Sequence, residues 1–145
     1  MELVIDNQEK TPQGALKKAP LMGAVKPRVM SIPLKGKSRG DEFAAFAESI
    51  GYTLDPWQKY IADDFLTMDE GGEFIRKTIM VCVSRQNGKT LLAALRILAG
   101  LFIFGEKSIL AMSSNRSMAL TTFRQVVGII ESNEALRSQV KLNIG

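Results

Sequence analysis

Residues 77 to 104, "KTIMVCVSRQNGKTLLAALRILAGLFIF", limit this chain's fold more than any other stretch. A short, partly β-branched apolar run ends at Val83 and is bounded by polar residues, the pattern of a buried strand. The chain then crosses the polar "SRQNGKT" and enters fourteen residues, 91 to 104, that are rich in helix formers and apolar nearly all round. That run is too long for a strand and predicts a helix buried on most of its faces. Gly105 suits its C-cap, and "KSILAM", 107 to 112, predicts a second short strand. Strand, loop, buried helix and strand together make a right-handed crossover unit of an α/β sheet.

The junction carries the chemistry. "VSRQNGKT" ends as a phosphate-binding loop does, but Val83 stands where G-x-x-x-x-G-K-[ST] has its first glycine. Between a buried strand and a helix start, the backbone N–H groups of residues 86 to 90 converge and the helix dipole adds partial positive charge, so an anion is stabilised there. Ser84, Arg85, Gln86 and Asn87 line the loop. Gly88 lets the backbone close on a phosphate, Lys89 reaches the β and γ oxygens of a nucleotide, and the Thr90 hydroxyl is a candidate Mg²⁺ ligand. The first glycine serves loop geometry and supplies no ligand chemistry, so Val83 leaves this reading standing. The alternative is a helix N-terminus with an exposed lysine.

The flanking elements are helical. Asp41 can cap a helix with Phe43, Phe46, Ala47 and Ile50 on one face, and Gly51 is suited to end it. Asp55 as N-cap and Pro56 at the first helical position predict a second helix over 56 to 68, faced by Trp57, Tyr60, Ile61, Phe65 and Met68. The glycine-rich "DEGGE" at 69 to 73 breaks it. Beyond the second strand, Ala119, Phe123, Val126, Val127 and Ile130 mark another helical face, and Asn133 can cap a short turn. No internal repeat is present.

Charge is divided unevenly. Residues 1 to 40 hold eight Lys/Arg, three acids and four of the five prolines, whereas the remaining 105 residues hold eleven Lys/Arg and twelve acids. The first forty residues therefore read as a disordered basic arm, either a solvated leader or a contact for nucleic acid or a partner. Residues 41 to 145 form the body. With 46% hydrophobic residues the chain can build one core. Its longest apolar run is broken by Arg96 and is shorter than the roughly 18 to 20 residues a membrane span needs. The start lacks the pattern of a secretory signal. One cysteine, Cys82, excludes an internal disulfide, and the absence of histidine excludes histidine acid–base chemistry and Cys/His zinc sites.

"LDPWQ", "SRQNGKT", "GLFIFGE" and "ILAMSSNRSMA", in that order and over roughly residues 50 to 130, resemble the start of the ATPase domain of the tailed-bacteriophage terminase large subunit. That family packages DNA into proheads and commonly carries a deviant loop with Arg and Gln ahead of Gly-Lys-[ST]. The resemblance implies an ASCE-type P-loop NTPase fold with ATP and Mg²⁺ as cofactors and viral double-stranded DNA as substrate. It also implies the terminase small subunit and portal protein as partners, a homo-oligomer when complete, and the host cytoplasm as location. It places Gln58 where the family reads adenine, by an amide that donates and accepts; alternatively Gln58 is only the third residue of a capping box opened by Asp55. It likens Arg85 to the arginine that senses or stabilises the γ-phosphate; alternatively Arg85 is a solvated loop arginine. Trp57 is core or a base platform, and residues 113 to 119 couple to DNA or simply hold Asn115 as an N-cap.

A packaging ATPase also needs an acidic Walker B strand, a catalytic glutamate and a nuclease domain with clustered carboxylates. The sequence offers only Glu131, at the end of a stretch with helical spacing. Residues 41 to 145 are accordingly expected to be the N-terminal part of such a domain, able to bind ATP weakly and not to turn it over. Its two strands would lack their neighbours in the sheet. A helicase-type P-loop ATPase or a non-catalytic nucleotide-binding module would share these features.

Overall fold

The structure, a computed structural model, describes residues 23–141. Its elements run β1 (Lys37–Ser38), α1 (Gly40–Ser49), α2 (Pro56–Phe65), β2 (Thr67–Met68), α3 (Lys89–Phe102), α4 (Arg116–Ser132) and α5 (Glu134–Arg137). The described part is mostly helical. Its one sheet pairs β1 with β2 antiparallel, with Lys37 opposite Met68 and Ser38 opposite Thr67.

The hub is α3, the helix expected to be buried on most faces. Leu92, Leu95 and Ala99 pack with Phe43, Ala47, Leu54, Ala62, Phe65 and Leu66 of the α1–α2 side. Ala94 and Leu98 meet Val126, Ile129 and Ile130 of α4 and Leu136 of α5. Two cores thus share one helix, and each large side chain fully buried in them stabilises the fold by about 1.5–3 kcal/mol.

Local chemistry sets the helix ends. Asp41 does not cap α1 but lies in its first turn; the helix begins at Gly40, whose N–H donates to the Ser38 hydroxyl at 2.9 Å. A side chain at position 40 would be crowded, because its Cβ would collide with the Asp63 carboxylate, which would have to turn away, and lie 3.0 Å from the Asp63 Cα. Gly51, at φ +87°, follows the end of α1 in the left-handed conformation expected of it. α2 stops at Phe65 and not at Met68, because Thr67 and Met68 turn into the ladder with β1. There Arg39 N–H donates to the Leu66 carbonyl at 3.1 Å, and the Thr67 hydroxyl donates to the Asp63 carbonyl at 2.8 Å.

Part of the arm expected over 1–40 is tied to the body. Leu34 N–H donates to Asp64 Oδ1 at 3.0 Å, and Arg76 Nη2 donates to the Ile32 carbonyl at 2.8 Å. Tyr60 Oη lies 3.6 Å from Met30 Sδ. The body thus extends back beyond Asp41 to about Met30; residues 1–22 of the arm lie outside the described residues.

The two segments expected as α/β strands behave differently from the helices. Neither 77–83 nor 107–112 takes part in a ladder, and Met80 (88% exposed) and Leu110 (80%) present apolar surface to solvent. No helix among the described residues is long and apolar enough to cross a membrane.

Candidate functional site

The loop between the unpaired segment and α3 is built by its backbone. Val83 is half-buried, and Ser84 to Asn87 are exposed. Two residues take positive φ: Gln86 at 62° and Gly88 at 73°. The first is unusual for a side chain of that size, and such a conformation costs on the order of 1 kcal/mol or more unless its surroundings hold it. The two left-handed residues flank Asn87 and fold the chain back on itself. Asn87 Nδ2 secures the turn by donating to the Ser84 hydroxyl and, at 3.2 Å, to the Arg85 carbonyl.

Lys89 opens α3, and its side chain curls back over the loop. Its Nζ donates to the Val83 carbonyl at 2.9 Å and to the Ser84 carbonyl at 3.0 Å. What the loop takes from position 83 is thus a backbone carbonyl, which every residue supplies. No side chain caps α3, whose N-cap is Gly88, whereas Asn115 caps α4 through Met118 N–H and Asn133 caps α5 through Leu136 N–H. The start of α3 therefore carries no side-chain cap beside a lysine ammonium and adds the positive end of a fourteen-residue helix dipole.

Gln58 stands directly against this loop. It is 2% exposed on the first turn of α2. Its Oε1 accepts from Asp55 N–H at 2.7 Å, and its Nε2 donates to the Gly88 carbonyl at 3.3 Å. The capping role is thus realised, together with a contact across thirty residues that no local pattern announces. Asp55 lies close as well, with Oδ2 3.9 Å from where a Cβ on Gly88 would sit.

The structure brings Gln58, Ser84, Asn87, Gly88 and Lys89 together. Arg85, Gln86 and Thr90 present exposed side chains at the same loop. Trp57 is half-buried against the α1–α2 core. Asn115 caps α4 by accepting from Met118 N–H at 2.9 Å. Glu131 is exposed within α4 and so lies on a helix and not on a strand. Among the described residues no group of three or more Cys, Asp or Glu side chains is arranged to hold a metal ion. The Thr90 hydroxyl, the candidate Mg²⁺ ligand, is exposed at the second position of α3.

Compared with protein families, curated proteins and solved structures, the chain gives no match in any of the three.

Proposed function

We propose that loop 84–90 binds the phosphates of ATP with Mg²⁺, and that the chain is the N-terminal part of the ATPase of a viral DNA-packaging terminase large subunit. The observation that supports this best is Lys89 folded over the loop onto the Val83 and Ser84 carbonyls, with two left-handed residues between them. Curling the side chain back keeps the ammonium at the mouth of a turn whose N–H groups are uncapped. This is an arrangement that favours a polyanion over a neutral ligand.

In this reading Lys89 supplies the cation for the β and γ oxygens, and the N–H groups of Gln86 to Thr90 supply hydrogen bonds to phosphate. Bound Mg²⁺ neutralises phosphate charge, and Thr90 would hold it. Arg85, exposed at the loop, contributes charge toward the γ-phosphate. Gln58, assigned by the resemblance to the adenine edge, directs both ends of its amide to Asp55 and Gly88. Hydrolysis further requires an acid that orients water, and Glu131 is exposed on α4; nucleotide binding is therefore the activity proposed for these residues. Viral double-stranded DNA, the terminase small subunit, the portal protein, a homo-oligomeric assembly and the host cytoplasm follow from the resemblance alone.

Equilibrium titration of wild-type chain and Lys89→Ala with a fluorescent ATP analogue and Mg²⁺ tests the assignment. Loss of the ammonium that folds over the loop should weaken binding at least about tenfold, as expected for hydrogen bonds to a charged group. Equal affinities would remove Lys89, and the proposal with it.

A further inference from the structure

Taking the loop as a phosphate site, as proposed, we infer that Gln58 is a positioning residue that aims the loop, independent of the base the nucleotide carries. Both ends of its amide are engaged inside the protein, and its side chain is almost wholly buried. The Gly88 carbonyl accepts twice, from Gln58 Nε2 at 3.3 Å and from Leu92 N–H at 2.9 Å, the latter being the first helical bond of α3. A carbonyl has two lone pairs, so both are used and its direction is fixed.

The peptide plane carries that direction to the ligand side. In a trans peptide the C=O of one residue and the N–H of the next point opposite ways, so drawing the Gly88 carbonyl toward α2 turns Lys89 N–H away from α2. That N–H is one of the uncapped first-turn donors. The contact also adds a second reason for glycine at position 88. Besides its φ of 73°, a Cβ there would come 2.7 Å from Gln58 Nε2. Gln58 thus fastens the start of α3 to the start of α2, and each helix begins where the other's bond is made.

The substitution Gln58→Glu separates the two bonds. It keeps an acceptor for Asp55 N–H and replaces the donor that faces Gly88 with an oxygen. Gln58→Met, which carries no buried charge, removes both bonds at similar volume and serves if the glutamate variant does not fold. ATP and GTP affinities with Mg²⁺, and amide hydrogen exchange over 84–92 without nucleotide, should be measured on the whole chain. Positioning predicts faster exchange confined to 84–92 and a parallel loss of both nucleotides, on the order of tenfold. Loss of ATP alone with unchanged exchange would make Gln58 a base reader and overturn the inference, as would unchanged exchange with unchanged affinities. Accelerated exchange in a chain whose wild type binds neither nucleotide would support the fastening of the two helices while removing the ATP reading, so the two fail separately.

Discussion

Arg76 and Asp64 face each other at 2.6 Å, and the same guanidinium that grips the carboxylate also holds the Ile32 carbonyl. Asp64 in turn accepts from Leu34 N–H on the same strip of chain. One ion pair therefore fastens residues 32–34 across α2. Both side chains are partly buried, which lessens the solvent screening that makes exposed ion pairs weak.

This pair should be visible in acid. The hydrogen bond from Arg76, aided by Leu34 N–H, holds the Asp64 carboxyl below the usual carboxylate range. A group with a depressed folded pKa contributes in full above its unfolded value, about 3.9 for Asp, and loses that contribution as pH falls through the folded value. Asp63 works in the opposite sense, because burial and nearby Asp41 push its carboxyl up. Asp64→Ala should cost roughly 1.5–3 kcal/mol at pH 7 and flatten the loss of stability below about pH 4. Melting temperatures of wild type and variant measured from pH 7 to pH 3 should converge in acid; curves that stay parallel would show that the contribution of Asp64 does not titrate.

α3 should be the mechanical centre of the fold. Leu95 is fully buried against the α1–α2 side, while Leu98 one turn on serves the α4–α5 side. Leu95→Ala removes atoms that the surrounding side chains cannot fully replace and is expected to cost about 2–5 kcal/mol in denaturant unfolding. Leu110→Ala, at a residue 80% exposed, should stay within about 0.5 kcal/mol. If both cost the same, packing around α3 does not set stability.

How much of this was legible in the sequence depends on how far apart the interacting residues lie. The four long helices were readable because apolar residues at helical spacing announce a buried face within one segment. The two-residue strands β1 and β2 were not, because they pair across about thirty residues and are too short to show a period. The run ending at Val83 and the segment 107–112 have the composition of strands, but composition marks a need for burial and does not supply a partner. Phe123 fits the face expected for α4 yet is 49% exposed, while Ile129, not assigned to that face, is buried. At the site, the Asp55–Gln58 cap was visible at its i,i+3 spacing, and the loop was visible in its Gly-Lys-Thr. The bond from Gln58 to Gly88 and the carbonyl contributed by Val83 are properties of the folded backbone alone.

Thr90 offers the most specific test of how a nucleotide would sit in the loop. It is the second residue of α3, one position past the lysine that bridges the Val83 and Ser84 carbonyls, and its side chain is exposed at the uncapped end of the helix. Removing its hydroxyl leaves the backbone donors and Lys89 in place, so ATP affinity in the presence of EDTA should be unchanged. The increment that Mg²⁺ adds should shrink in Thr90→Ala by about 1–2 kcal/mol and return in Thr90→Ser, which keeps the oxygen. Titrations of the three proteins with ATP, each with and without Mg²⁺, give that difference directly. If Thr90→Ala weakened binding equally in EDTA and in Mg²⁺, the hydroxyl would belong to helix α3 and not to the metal, and the loop would be a phosphate site without the cation that this reading gives it.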